Sequence, residues 1–247
     1  MKNNFYFKEP FSNIYKLPNI RSEVTSQILY GERFKILSKR KGWIKIKSLY
    51  DRYIGFIKDK KYVKELKISH KVCNIETNIF KNPNTKTKRT LYFGSKLSVL
   101  EKRNGFARFE ENQWVRSKDI KKITHKEKDF VKILKLFLKT KYVWGGKTNK
   151  GIDCSALLQI FFYYNNLFYP RDTKDQIKYS KKKISKKFKK GVILFWKGHV
   201  AICINSKQLI HAYGPEKRVI VMPINKTIKR ILNTANLKVR KISKINF

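Results

Sequence analysis

Hydrophobic and polar residues alternate through the first half of the chain in short runs separated by turns. Gln27–Leu37 places Gly31 before an alternating segment, and Trp43-Ile44-Lys45-Ile46 then switches apolar and basic positions as a half-buried strand does. Asp51-Arg52-Tyr53-Ile54-Gly55-Phe56-Ile57 adds a further turn and strand. The same order returns in Thr90–Leu100 around Gly94, in Asn104-Gly105-Phe106-Ala107-Arg108-Phe109, and in Gln113-Trp114-Val115. Regular turns between short strands predict two small all-β barrels, over residues 11–66 and 70–120.

The pattern changes near residue 124. Phe130, Ile133, Leu134 and Phe137 recur at helical spacing, and Thr124 with Glu127 fits a capping box ahead of them. A third domain is therefore expected over 124–247. Within it, a Gly-rich turn through Gly145, Gly146 and Gly151 leads to Asp153-Cys154-Ser155, followed by the apolar run of a buried helix. A cysteine at a helix N-terminus sits near unsatisfied backbone amides, which predicts a thiol pKa below its free value of about 8.5. A thiolate nucleophile needs an imidazole as proton shuttle. Gly198–Ile204 and Leu209–Ala212 read as two strands joined by the turn Asn205–Gln208, so a hairpin would bring His199 and His211 together. Their even separation allows a shared face, with His199 as base and His211 as its orienter. Cys73 and Cys203 read as inert, and His70 and His125 attract no role.

At this level of detail the third domain resembles the catalytic domain of NlpC-type cysteine peptidases, a papain-like family that cleaves bacterial cell-wall peptides. The resemblance rests on Tyr142-x-Trp144-Gly145-Gly146, Gly151-x-Asp153-Cys154-Ser155, Pro170-Arg171-Asp172-Thr173-x-x-Gln176, Phe195-Trp196, Gly198-His199-Val200 and Ile210-His211-Ala212. It implies Cys154 as nucleophile, His199 as general base and His211 as third catalytic residue. The two preceding domains resemble bacterial SH3-like domains. Together they imply a multidomain chain, with two SH3-like barrels before an α+β papain-like domain, similar to the γ-D-glutamyl-L-diamino acid endopeptidases of the dipeptidyl-peptidase VI type. That branch implies a first barrel that gates the cleft, with Glu23 and Tyr53 reaching the substrate. It also implies that Asp153, Asp172 and Thr173 hold the ammonium and backbone of a free N-terminal L-Ala, with Trp144 and Ser155 lining the pocket. Ala156 replaces the family's usual Gly, Thr173 stands where Ser or Ala is common, and the segment Lys190-Gly191-Val192-Ile193 lacks the usual Asp.

Charge alters this picture little. The chain of 247 residues has 59 Lys and Arg against 17 Asp and Glu, a formal net charge of +42. The excess runs along the whole chain and is mostly lysine, whereas readers of base edges use local arginine patches. No specific nucleic-acid partner is expected. Lys174–Lys190 is the densest basic run, and a polyanion-binding module on an inactive peptidase fold is the alternative reading. Three cysteines form no disulfide framework, and no metal or other cofactor is expected. The N-terminus lacks the apolar core of a secretion signal, and no run is long enough to insert in a membrane. The expected protein is a cytoplasmic hydrolase that recycles murein peptides, with an exported wall-remodelling endopeptidase as the third possibility.

Overall fold

The computed structural model describes residues 4–180 and 187–245. The chain divides into two compact units, one of Met1–Glu127 with Tyr163–Asn166, the other of Lys128–Phe162 with Leu167–Phe247. Four lysines of the basic run singled out above, Lys181, Lys182, Lys183 and Lys186, lie outside the described residues.

The first unit is almost entirely β. Seven strands form one sheet in the order Val24–Leu29, Phe11–Tyr15, Ile54–Lys58, Trp43–Ser48, Arg33–Arg40, Asn4–Phe7 and Tyr62–Val63. The sheet thus begins at Asn4, upstream of the Phe11 boundary read from the turn pattern. Alternation does what it predicts, because Ile44 and Ile46 of Trp43–Ser48 are fully buried while Lys45 and Lys47 point outward. Phe7, Ile14, Ile28, Phe34 and Ile57 complete that core. A five-stranded and a three-stranded sheet follow between His70 and Lys122 around Val72, Leu91, Leu97, Phe109 and Val115. The internal repeat has a backbone cause. Gly31 and Gly94 turn the chain at φ 74° and 83°, and Gly42 and Gly105 both at 76°, a region open to glycine at little cost. Both halves also meet at Glu110, which pairs with Lys8 at 2.7 Å and accepts from the Tyr30 hydroxyl at 2.5 Å.

Among the described residues the second unit has four α-helices and a five-stranded antiparallel sheet. Helix α1 (Phe130–Leu136) buries Phe130, Ile133 and Leu134, as the spacing requires. Its cap is Asp129, whose side chain accepts from the Val131 N–H at 3.2 Å; the Thr124–Glu127 box predicted from sequence lies upstream of the helix. Helix α2 is Cys154–Tyr164, α3 is Thr173–Tyr179 and α4 is Ile224–Ala235. The sheet runs in the order Arg218–Pro223, Gln208–Tyr213, His199–Cys203, Val192–Trp196 and Lys241–Lys244. Val192–Trp196 is buried at every position, as befits an inner strand covered on both faces. Among the described residues no helix is long and apolar enough to cross a membrane.

Candidate active site

Gly-rich backbone delivers Cys154 to the start of α2. Gly145 turns at φ 74°, and a short ladder pairs Lys147–Thr148 with Gly151–Ile152. At Gly146 a Cβ would come within 2.4 Å of the Gly151 carbonyl oxygen, so the two segments approach this closely only because Gly146 carries no side chain. Asp153 then caps the helix, its Oδ1 accepting from the Ala156 N–H at 2.8 Å.

The cap carboxylate has more partners than a cap needs. Asp153 Oδ2 accepts from the Gly145 N–H at 3.0 Å and from Arg171 Nη2 at 2.6 Å, while Oδ1 accepts from Arg171 Nη1 and Ser155 Oγ, each at 3.0 Å. Arg171 Nη1 also donates to Ser155 Oγ at 2.9 Å. All three side chains are buried. The Asp153 carboxylate is thus surrounded by Arg171, the Ser155 hydroxyl and two backbone donors. In the sequence Arg171 stands only as a motif position. The signal was present, since it is the single arginine between Arg116 and Arg218 in a lysine-dominated chain.

The thiol of Cys154 lies against the start of strand His199–Cys203. It is 3.9 Å from the Gly198 carbonyl oxygen, and the Val200 N–H and Thr173 hydroxyl hydrogen-bond to the sulfur. These backbone groups flank His199 on both sides. Burial pushes the thiol up to about 11, with the Asp153 charge adding to the rise. Thr173, Val200 and Arg171 pull the other way but do not prevail. The helix N-terminus therefore does not produce the low thiol pKa expected from sequence, because desolvation of a sulfur with 4% exposure outweighs it.

Strands His199–Cys203 and Gln208–Tyr213 pair antiparallel with Ile202 opposite Ile210, which puts both histidines on one face. His199 Nε2 and His211 Nδ1 are 2.9 Å apart, and His211 Nε2 is 3.3 Å from Met222 Sδ. A thioether sulfur only accepts, so His211 carries its hydrogen on Nε2 and receives at Nδ1. His199 must then donate from Nε2, leaving its Nδ1 lone pair open. Burial lowers His199 to about 4, and lowers His211 well below the ordinary range with the His199 and Arg230 charges contributing. The resting site thus holds a neutral thiol against the backbone that flanks His199, and a neutral His199 imidazole hydrogen-bonded to a second one.

Three residues around this centre extend it. The half-exposed Tyr142 faces the thiol electrostatically; burial and then the Cys154 and Asp153 charges raise its hydroxyl well above the ordinary range, so it stays a donor. Asp172, half-buried at the head of α3, makes no side-chain hydrogen bond or ion pair among the described residues, and burial pushes its carboxyl up. Trp144 is 57% exposed on the glycine-rich turn. Glu23 and Tyr53 belong to the first unit. Glu23 is exposed and 3.4 Å from Lys16 Nζ, and Tyr53 packs on the core of the seven-stranded sheet. Among the described residues no three His, Cys, Asp or Glu side chains converge as metal ligands.

Residues 139–235 match the NlpC/P60 family, and residues 14–61 match the bacterial dipeptidyl-peptidase Sh3 domain. The chain carries an NlpC/P60 domain. NlpC/P60 domains are those of a cysteine peptidase family, and the matched Sh3 segment lies within the first unit. Dipeptidyl-peptidase 6 of Lysinibacillus sphaericus is 25% identical over 230 residues, covering 81% of this chain and 84% of that protein. Gamma-D-glutamyl-L-lysine dipeptidyl-peptidase of Bacillus subtilis is also 25% identical, over 83% of this chain and 77% of its own. The crystal structure of an NlpC/P60 family protein from Bacillus cereus superposes with a TM-score of 0.76 at 18% identity, covering 90% of this chain and 94% of that one. The last comparison speaks for the fold alone.

Proposed function

We propose that this protein is a cysteine peptidase that hydrolyses the γ-D-glutamyl–diamino acid bond of murein peptides bearing a free N-terminal L-Ala. The observation that carries the reading is the 2.9 Å contact of His199 Nε2 with His211 Nδ1, beside a thiol held by the backbone on either side of His199. In the first step Cys154 passes its proton to His199 Nδ1 while Sγ bonds to the substrate carbonyl carbon. Collapse of that adduct breaks the C–N bond, and the proton moves from His199 to the leaving amine. Water then attacks the thioester and gives a proton to His199; breaking the C–S bond releases the dipeptide acid, and the proton returns from His199 to the sulfur. Tyr142, whose hydroxyl stays protonated under burial and the Cys154 and Asp153 charges, donates to the developing oxyanion.

Asp172 supplies the carboxylate for the substrate ammonium, since a half-buried carboxyl group without a partner is stabilised by a cation. Thr173 and Trp144 contribute the adjoining surface. Glu23 and Tyr53 of the SH3-like region bind the N-terminal end of the peptide and make the cleft selective for short fragments. The name of the Bacillus subtilis relative, a gamma-D-glutamyl-L-lysine dipeptidyl-peptidase, supports a murein-peptide substrate, and recycling of such fragments in the cytoplasm is the setting that fits a requirement for a free amine. The test is incubation with L-Ala-γ-D-Glu-diamino acid tripeptide, read by mass spectrometry. Release of L-Ala-D-Glu by the wild type and its loss in Cys154→Ala are expected. Equal release by the two proteins overturns the mechanism.

A further inference from the structure

A cavity of about 360 Å³ opens beside His199 in the NlpC/P60 domain. Tyr142, Lys197, His199, Tyr213, Pro215 and Arg230 are among its walls. Its two formal charges, Lys197 and Arg230, are positive, and no carboxylate lines it among the described residues. Arg230 is held in place. Its Nη1 donates to Glu216 Oε1 at 2.7 Å, and its guanidinium lies 5.5 Å from the Tyr213 ring, which in turn stacks on His211 at 4.7 Å. One edge of the fork, Nε and Nη2, has no hydrogen-bond partner among the described residues, and Arg230 lines the same space as the proposed base.

We infer that this cavity is a carboxylate-binding subsite for the leaving amino acid, anchored by Arg230 and assisted by Lys197. The inference rests on the peptidase reading and follows from proton transfer: the leaving amine must take its proton from His199, so the residue that departs lies on the side that His199 lines. That residue offers carboxylates from two sources. Every murein diamino acid has an α-carboxylate when it ends the peptide, and diaminopimelate has a second at its far end where lysine has only an ammonium. A guanidinium edge pairs with either carboxylate, whereas a cationic wall disfavours the lysine ammonium.

Three tripeptides separate these sources: L-Ala-γ-D-Glu followed by diaminopimelate, by lysine, or by lysinamide. If the far carboxylate is bound, kcat/KM for the diaminopimelate peptide exceeds that for the lysine peptide by about tenfold, and Arg230→Gln brings the ratio near one. If the α-carboxylate is bound, the lysinamide peptide falls about tenfold below the lysine peptide, and Arg230→Gln removes that difference. Arg230→Lys keeps part of the discrimination in either case, and Lys197→Gln, at an exposed position, weakens it without touching the Glu216 pair. Equal kcat/KM for all three peptides, or an Arg230→Gln variant that lowers all three alike, overturns the subsite. Calorimetric titration of free diaminopimelate, lysine and lysinamide into Cys154→Ala reads the cavity without turnover. Failure of hydrolysis then counts against the peptidase reading, and failure of carboxylate-dependent binding counts against the subsite.

Discussion

Arg171 closes on both carboxylate oxygens of Asp153, Nη2 to Oδ2 at 2.6 Å and Nη1 to Oδ1 at 3.0 Å, with both side chains almost fully buried. The pair ties the residue before the thiol to the segment that begins α3, and so fixes Cys154, Ser155 and Thr173 relative to one another. A buried fork of this kind contributes less than its removal costs, because deleting one partner strands a charge in a dry site.

Arg171→Ala is therefore expected to lower the unfolding free energy by about 3–5 kcal/mol, and Arg171→Lys to recover only part of it, since an ammonium cannot bind both oxygens at once. The midpoint of denaturant unfolding checks this. A loss under about 1 kcal/mol would show that the fork is dispensable.

The neutral histidines give a pH dependence with a definite sign. Unfolded, His199 takes up a proton near its ordinary value of about 6.5, while in the folded protein burial holds it to about 4. Between those limits the unfolded chain binds more protons, so stability is full above about 6.5 and declines as pH falls toward 4. His211, lowered by the same burial, adds to the slope. Thermal unfolding measured from pH 7 to 4 should show a shallower decline in His199→Gln than in the wild type; parallel curves would remove the assignment. The peptidase rate should hold steady above pH 5 and fall toward pH 4 as His199 protonates and can no longer accept the thiol proton.

His211 acts through His199 and is a positioning residue. His211→Ala is expected to lower kcat by about 10²-fold or more with little change in KM, and to reshape the acid side of the pH profile. Met222→Leu removes the acceptor that fixes the His211 tautomer while keeping the volume, and should lower kcat by a smaller factor. Steady-state kinetics on the murein tripeptide decides both. A matching rise in KM would point to loss of substrate binding instead.

Asp172→Asn should weaken kcat/KM for the free-amine tripeptide by about 10- to 100-fold, the loss of one charge-assisted contact. The N-acetylated tripeptide should be a poor substrate of the wild type and no worse for the variant. If the variant treats both peptides as the wild type does, the ammonium is held elsewhere.

The two site glycines differ in what surrounds them. At Gly151 a Cβ would meet the Val143 side chain, Cγ2 at 2.3 Å, whereas at Gly146 it would meet backbone that has no room to yield. Gly146→Ala should cost about 1–3 kcal/mol and reduce activity by shifting the Asp153 turn, and Gly151→Ala should cost less. Unfolding midpoints of the two variants rank them directly.

Much of the fold was written in local pattern. The alternation at Trp43–Ser48 and the helical spacing of Phe130, Ile133 and Leu134 each state which side chains must leave water, and the structure buries those residues. The repeated glycines marked the same turns in both halves of the first unit because positive φ is a property of the single residue. The capping of α1 was misplaced, since Thr124 and Asp129 are both good caps and only packing selects between them. At the site, Cys154, His199 and His211 were legible from type, order and even spacing. Arg171 and Tyr142 stood out as motif positions but without a partner, and Arg230 did not stand out at all, because their partners are set by contacts across the fold, and a lysine-rich sequence shows charges without showing which are buried.

The sequence by itself determined the strands, the helix that begins at Cys154, and the presence of one cysteine and two histidines of suitable spacing, because periodicity and residue type are local. Tertiary structure decided their chemical state. Packing buries Cys154 and part of His199, and desolvation leaves a neutral thiol and a neutral imidazole where helix position alone implied a charged sulfur. It also divided the two acids of the site, giving Asp153 to Arg171 and leaving Asp172 unpartnered among the described residues. Which carboxylate is satisfied depends on where a distant arginine folds back, and no property of either aspartate encodes that.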